Sequence, residues 1–96
     1  MNSNHEYSLG DAIKEVMRSL RMENKLQEVN LMASWEPIVG SMIARHTEHL
    51  AVKNRILYVN LDSSALRSEL MMARSKIVKA LNKEVGKNII TDIVFR

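Results

Sequence analysis

The sequence predicts an α+β fold in which helices cover one face of a three-stranded mixed sheet. Two observations carry this prediction. Apolar residues recur every three or four positions through the first 45 residues and again between residues 64 and 86, a period typical of helices. They alternate with polar residues between residues 49 and 62 and again after residue 88, which is typical of strands. The predicted order over residues 8–96, taken as a single domain, is therefore α-α-α-β-β-α-β.

Capping signals define the first two predicted helices. Residues 1–7 are polar, and we expect them to be disordered. Ser8 is followed three residues later by Asp11, the pattern of a capping box, and it begins a first helix that we expect to end near Arg21. Asn24 caps a second helix in the same way.

The third predicted helix begins at the only proline, Pro37, because a residue without an amide hydrogen suits the first turn. Gly40 in its middle costs roughly 1 kcal/mol relative to Ala, which is tolerable if another element packs closely there. The only tryptophan, Trp35, lies at the corner between the second and third helices. A lone Trp most often packs in its own core, although a partly exposed Trp also anchors interfaces. We favour the core and keep Trp35 as a candidate partner-binding residue.

Residues 49–62 predict a hairpin whose turn places Asn54 at a positive φ angle. Ser63 or Ser64 then caps a long helix, and Gly86 ends it in the left-handed conformation. A last strand follows. Because a helix returns the chain to its starting end, the second and third strands should run parallel.

This is the element order of a type II KH domain with an extra N-terminal helix. KH domains hold nucleic acid with a GxxG loop, whose backbone amides approach the phosphates. The three glycines of this chain, Gly10, Gly40 and Gly86, are too far apart to form one. We therefore expect a KH-like domain without base-specific RNA recognition.

The composition is that of an ordinary globular protein, with 46% hydrophobic residues. The chain has no cysteine, which excludes disulfides and thiolate metal sites and fits a reducing compartment. No apolar run is long enough for a membrane span, and the first residues lack the apolar core of a signal peptide. We expect a cytoplasmic protein.

The charge is unevenly distributed along the chain. Residues 1–36 carry four Lys or Arg and six acidic residues, whereas residues 37–96 carry ten and five. A basic half of this kind indicates a polyanionic partner, because unbalanced charge on one face raises the local anion concentration. A solvated basic helix face is the alternative, and the charge difference alone does not decide between them.

The candidate nucleic-acid-binding residues are cations of the long helix, of the hairpin tip and of the segment after the helix. They are Lys53, Arg55, Arg67, Arg74, Lys76, Lys79, Lys83 and Lys87. At 100° per residue, the three lysines from 76 to 83 share one face of the helix, while Arg67 and Arg74 share another flank. Such a set suits the phosphate backbone and reads no bases, so we predict weak, sequence-independent DNA binding.

An apolar patch is predicted on the outer face of the sheet. Ile56, Tyr58, Ile90 and Val94 alternate with core positions and should point away from the helices. Such a patch needs a partner or a second copy to cover it, which leaves a homodimer open. The alternative is that these residues are there because Ile and Val favour strands.

No catalytic residue, cofactor or metal ligand is predicted. Carboxylates lie next to Lys or Arg at helical spacing, as in Glu15 and Arg18, and such pairs are usually solvated surface contacts. His46 and His49 have the spacing HxxH, but they join a helix end to a strand start without a third ligand nearby. We expect neither bound zinc nor enzyme activity.

The chain resembles the DciA-like proteins of bacteria in three stretches: W-E-P-I-V-G-S-M-I-A-R-H-T, L-Y-V-N-L-D-S-S-A-L-R-S-E-L and I-V-K-A-L-N-K-E-V-G-K-N-I-I-T-D-I-V-F-R. The likeness covers about residues 10–96. It implies a KH-like domain that binds DNA and recruits the replicative helicase (DnaB) during chromosome replication. The family's shared Trp and Gly correspond to Trp35 and Gly40, and its hairpin-to-helix junction to residues 62–64.

The sequence therefore favours a non-enzymatic adaptor that holds DNA on its basic helix and hairpin and the replicative helicase on another surface. The alternative, from a different functional class, is an RNA- or ribosome-associated KH-like binding protein.

Overall fold

The computed structural model describes residues 8–96, so the predicted disorder of residues 1–7 concerns residues outside this range. The elements of the described range, in chain order, are α1 (Leu9–Ala33), α2 (Trp35–Val39), α3 (Ser41–Arg45), β1 (Thr47–Lys53), β2 (Ile56–Leu61), α4 (Ser64–Met72), α5 (Arg74–Val85) and β3 (Asp92–Phe95). The predicted α+β fold is confirmed: helices precede the hairpin, and a helical connection joins the second and third strands. No helix in this range is both long and apolar enough to cross a membrane.

The sheet has the strand order β1-β2-β3, with β1 antiparallel and β3 parallel to the central strand β2. The predicted parallel pairing is therefore confirmed. Side chains of β2 alternate in burial: Leu57, Val59 and Leu61 are buried under the helices, whereas Ile56 and Tyr58 lie half-buried on the outer face. This alternation is the period of two that the sequence shows.

The core lies between this sheet and the helices. Its buried members are Leu31, Trp35, Leu57, Val59, Leu61, Leu70, Ile77, Leu81, Ile89, Ile90 and Ile93. The helix α5 contributes Ile77 and Leu81, one turn apart, so that its opposite side faces solvent. α1 contributes one buried residue, Leu31, near its C-terminal end.

α1 is one continuous helix, and the break expected near Arg21 is absent. The Ser8 hydroxyl caps it as predicted, accepting a hydrogen bond from the Asp11 amide at 3.1 Å. Neither Gly nor Pro occurs between Asp11 and Trp35, so the chain has no residue that would end the helix where Asn24 suggested a new cap. All residues from 8 to 26 are exposed, and the structure measures 64 × 21 × 19 Å because α1 projects beyond the core.

The other helical segments are each interrupted once. Gly40 separates α2 from α3 with a φ angle of 94° and a ψ angle of 163°. A Cβ atom at this position would meet nothing within 4 Å, so close packing does not explain the glycine. Glycine is needed for its backbone conformation, which residues with a Cβ rarely adopt. The long helix predicted after the hairpin divides at Ala73 into α4 and α5.

The last strand is shorter than predicted, and the placement of Ile90 on the outer face is wrong. Ile89 and Ile90 are both buried, with 8% and 1% of their surface exposed. The Asn82 side chain causes this departure from alternation, because its Oδ1 accepts hydrogen bonds from the amides of both residues at 3.0 and 3.1 Å. Its Nδ2 donates to the Ile90 carbonyl at 2.8 Å. The segment is thus tied to α5 before β3 begins at Asp92.

Candidate nucleic-acid interface

Three lysines form the solvent side of α5. Lys76, Lys79 and Lys83 are all exposed, and at 100° per residue they lie within about 60° of one another, opposite the buried Leu81. Among residues 8–96, no carboxylate lies within 4.0 Å of any of these ammonium groups. Their positive charge is therefore available to an external anion.

The C-terminal end of α5 extends this row of cations. Gly86 ends the helix in the left-handed conformation, as predicted, with a φ angle of 83°. Its amide donates to the Asn82 carbonyl at 2.8 Å, and the Lys87 amide donates to the same oxygen at 3.2 Å. Lys87 consequently lies beside Lys83, and the two side chains line one shallow groove together with Lys79.

The hairpin tip adds a fifth cation, Arg55. Its guanidinium Nη2 donates to the Asn88 carbonyl at 3.0 Å, and its own carbonyl accepts the Thr91 amide at 2.7 Å. These bonds tie the β1–β2 turn to the connection between α5 and β3. Arg55 and Lys87 line a second groove next to the first. We call Lys76, Lys79, Lys83, Lys87 and Arg55 the basic strip.

The backbone of Arg55 is unusual. Asn54 has a φ angle of 50°, as predicted, but Arg55 also has a positive φ angle, 64°. A turn with two positive φ angles prefers Gly at its second position, and a side chain there costs about 1 kcal/mol. Such strain is concentrated at functional sites in proteins, because the surrounding structure must hold it in place. An arginine here thus favours a role for its side chain.

The remaining predicted cations do not belong to the basic strip. Lys53 is exposed at the end of β1. Arg67 donates from Nη1 to the Leu61 carbonyl at 2.8 Å, so it joins α4 to β2. Arg74 pairs with Asp92, with 3.1 Å between its Nε and the carboxylate Oδ1. The continuous helix on which Arg67 and Arg74 were expected to share a flank is interrupted at Ala73, between the two residues.

Acidic residues also lie beside the basic strip: Glu28 lines the groove of Arg55 and Lys87, Asp92 lines a groove with Lys79, and Glu23 approaches Lys87. Glu23 of α1 has its Oε1 at 3.9 Å from the Lys87 Nζ, and each side chain is about half exposed. Exposed pairs of this kind contribute little and are weakened by salt. Lys87 therefore remains able to exchange this partner for a phosphate.

The predicted partner-binding residues lie in two different environments. Trp35 is 2% exposed, and its indole N–H donates to the Thr47 hydroxyl at 3.0 Å, which confirms the core interpretation. Trp35, like Ile90, therefore presents no surface to a partner in this structure. Ile56, Tyr58 and Val94 do lie on the outer face of the sheet, and Val94 is exposed.

A cation that the sequence analysis missed covers part of this outer face. The guanidinium carbon of Arg96 lies 4.7 Å from the centre of the Tyr58 ring, and its Nε donates to the Asn60 Oδ1 at 3.1 Å. The contact depends on the parallel register that pairs Tyr58 with Val94. Asn82 was also missed, because a single Asn within a helix has no distinctive spacing to mark it.

Of the two histidines in the HxxH pattern, His46 makes structural contacts and His49 does not share them. The His46 Nδ1 lies 2.8 Å from the Asp62 Oδ1, and the Asp62 amide donates to the His46 carbonyl at 3.1 Å. This pair joins the start of β1 to the end of β2. His49 is exposed on β1. Within residues 8–96, no group of three or more His, Asp or Glu side chains could hold a metal ion.

The chemistry offered by the basic strip is cationic. The grooves beside it are lined mainly by lysine, arginine and asparagine, together with Glu28, Gly86 and Ile89, and no aromatic side chain of the described residues lines them. Stacking on aromatic rings is how proteins hold single strands without reading sequence, and aliphatic ammonium groups contact phosphates instead. The strip thus suits a phosphate backbone more than unstacked bases.

Comparison with known proteins gives consistent matches. A profile of the family described as Dna[CI] antecedent, DciA matches residues 8–95. A UPF0232 protein of Corynebacterium glutamicum (strain R) is 36% identical over 61 residues, which are 64% of this chain and 34% of that protein. A Mycolicibacterium smegmatis relative, named UPF0232 protein in recF-gyrB intergenic region, is 25% identical over 85 residues, 88% of this chain and 44% of its own. The chain thus spans less than half the length of these relatives.

Proposed function

The chain belongs to the DciA family, and on that premise we propose that it is a non-enzymatic, DNA-binding adaptor. In this proposal the basic strip holds DNA, and another surface recruits the replicative helicase of the DnaB type in the cytoplasm during replication initiation. The observation that supports DNA binding best is the row of five cations that continues from α5 to the hairpin tip.

The basic strip has dimensions that suit a DNA backbone. From Lys76 to Lys83 the helix advances seven residues, which at 1.5 Å per residue is about 10 Å, and Lys87 and Arg55 extend the strip beyond the helix end. Duplex DNA carries one charge per roughly 1.7 Å of its axis, so several phosphates lie within reach of the strip. Contacts with phosphates fix the position of the protein on DNA but carry no sequence information. Binding should therefore be independent of sequence.

The two surfaces to which we assign DNA and the helicase lie on opposite sides of the sheet. The helix α5 packs on one face of the sheet, whereas Ile56, Tyr58 and Val94 lie on the opposite face. DNA on the outer side of α5 and a protein on the open sheet face would consequently not compete for space. This separation supports an adaptor that binds both at once.

DNA binding is tested by fluorescence anisotropy with labelled duplexes of unrelated sequence over a range of salt concentrations. With five phosphates contacted, the logarithm of the association constant should fall with the logarithm of salt at a slope of about −4 to −5. The triple substitution Lys76→Glu, Lys79→Glu and Lys83→Glu should abolish binding without loss of folding.

The matched control reverses three cations of α1 instead, Lys14→Glu, Arg21→Glu and Lys25→Glu, which changes the net charge equally. It should retain most of the affinity, because none of these three residues lines the grooves of the basic strip or pairs with one of its cations. Equal losses in the two triple variants would show that net charge alone attracts DNA and would contradict a local site. So would an affinity that does not depend on salt.

Helicase recruitment is tested by pull-down with the cognate replicative helicase. The wild type and the triple lysine variant should both retain the helicase, whereas Val94→Glu on the outer sheet face should weaken its capture. Failure of the wild type to capture the helicase, combined with tighter binding to RNA than to DNA duplexes of equal length, would instead support the RNA- or ribosome-associated alternative.

A further inference from the structure

The N-terminal half of α1 has an apolar stripe that no described residue covers. Leu9, Ile13, Val16, Met17 and Leu20 are between 51% and 78% exposed, although Leu and Ile side chains are usually buried. They follow helical spacing and lie on one side of the helix. A contiguous apolar patch of this kind is the mark of an interaction site.

The spacing of this stripe is that of a coiled-coil seam. The intervals from Leu9 to Ile13, Val16 and Leu20 are four, three and four residues, the alternation of a and d positions in a heptad. The pattern reads the same in both directions. In an antiparallel pair of identical helices, Leu9 therefore lies opposite Leu20 of the second copy, and Ile13 opposite Val16.

We propose that α1 pairs with α1 of a second copy of this chain, antiparallel, through Leu9, Ile13, Val16 and Leu20. This inference does not rest on the proposed DNA or helicase binding. It also differs from the homodimer considered above, which used the outer face of the sheet.

The residues that flank the seam suit a close approach of two identical helices. Gly10, Ala12, Met17 and Ser19 occupy the flanking positions, and none carries a charge. Like charges would otherwise face one another across a two-fold axis. Asp11 and Arg18, in contrast, lie on the opposite side of the helix, at about 180° from the seam.

The dimensions of the molecule leave room for this pairing. The two-fold axis would pass between residues 14 and 15, about 19 Å from Gln27, the first half-buried residue of α1. The two cores would thus lie at opposite ends of the helix pair, roughly 40 Å apart, and Leu9 of the second copy would lie about 10 Å short of Gln27 along the axis.

The area is that of a reversible dimer. Five large side chains, each at least half exposed in the monomer, supply on the order of 1,000 Å² in total over two copies, near the lower limit for a specific interface. Dimerisation should therefore depend on concentration.

Sedimentation equilibrium of the 96-residue chain tests the proposal. Between about 1 and 500 µM, the apparent mass should rise from 11.0 kDa towards twice that value. The double variant Ile13→Glu and Val16→Glu should remain monomeric throughout. Because neither side chain contacts the core, the near-ultraviolet signal of Trp35 should be unchanged.

The matched control is Leu26→Glu. Leu26 is 59% exposed on the same helix but lies about 110° from the seam and six residues beyond its last member, Leu20, so this variant should dimerise like the wild type. A wild type that stays monomeric at the highest concentration would overturn the proposal. Equal dissociation in the Leu26→Glu variant would do the same.

Engineered disulfides test the antiparallel direction, since the chain has no natural cysteine. A mixture of Leu9→Cys and Leu20→Cys variants should form a mixed disulfide under mild oxidation, and neither variant alone should cross-link. In the antiparallel pair, the two copies of position 9 are about 16 Å apart, beyond disulfide reach. Cross-linking of Leu9→Cys with itself would instead show a parallel pair and overturn the proposed geometry.

Discussion

Replacing Asn82 by alanine should destabilise the fold more than its half-buried position suggests. Its side chain makes three hydrogen bonds, to the amides of Ile89 and Ile90 and to the Ile90 carbonyl, at 2.8–3.1 Å. The Ile89 amide also donates to the Lys87 carbonyl at 3.0 Å, so the substitution leaves the amide and the carbonyl of the buried Ile90 without partners in a mostly dry environment.

The magnitude follows from the cost of those unpaired groups. Each buried polar group that loses its partner costs about 1–3 kcal/mol, and partial access of water at the exposed Asn88 reduces the sum. Alanine also regains a few tenths of a kcal/mol through its higher helix propensity. We therefore expect a loss of about 3 kcal/mol in the free energy of unfolding, a large part of the ~5–15 kcal/mol typical of such a domain.

Urea unfolding followed by Trp35 fluorescence measures this loss. The control is Asn30→Ala, since Asn30 lies exposed in α1 and the structure shows no hydrogen bond to its side chain. The control carries the same change in helix propensity and should stay within about 0.5 kcal/mol of the wild type. If the two variants unfold within 1 kcal/mol of each other, the reasoning that Asn82 holds the connection to β3 is wrong.

Three further predictions concern single residues. Gly40→Ala should destabilise the fold by about 1–3 kcal/mol in urea unfolding, because its φ angle of 94° is open mainly to glycine. The control Gly10→Ala, at a helical position, should be neutral or stabilising. A larger loss of stability in Gly10→Ala than in Gly40→Ala would contradict the role given to Gly40. Trp35→Phe should cost about 2 kcal/mol through lost volume and the lost bond to Thr47; a loss below 0.5 kcal/mol would refute a packed indole. Arg55→Gly should relieve the positive φ angle and leave stability within about 1 kcal/mol of the wild type, yet reduce the salt slope of DNA binding by about one; an unchanged slope would remove Arg55 from the interface.

Patterns within one element were read correctly from the sequence. The alternation in β2, the Ser8 cap and the left-handed Gly86 each depend on a few neighbouring residues, and the structure has them as predicted. Ser63 likewise caps α4, with its hydroxyl accepting the Leu66 amide at 3.2 Å. Such features are local, because backbone geometry and side-chain bonding reach only three or four residues.

Features that depend on distant residues were missed. Asn82 overrides the strand pattern at Ile90 through bonds that span eight residues, so alternation predicted the wrong face. Arg96 covers Tyr58 only because the parallel register brings the two together.

The continuity of α1 was missed because a local capping pattern was taken as the start of a new helix. Asn24 and Gln27 match a capping pattern, but a helix without glycine or proline continues through such a pattern unless another element interrupts it.

For the candidate interface, the sequence indicated the lysines of α5. The tie between Arg55 and Asn88 that adds the hairpin tip required the fold.

Because α1 projects from the core, a small rotation at its base moves its tip by a large distance. Its tip at Leu9 is eighteen residues from Gln27, about 27 Å along the axis. A tilt of about 10° at the base would therefore displace the tip by roughly 5 Å, more than the diameter of a water molecule. A spectroscopic label at position 9 would accordingly report small rearrangements between α1 and the sheet as large changes in distance.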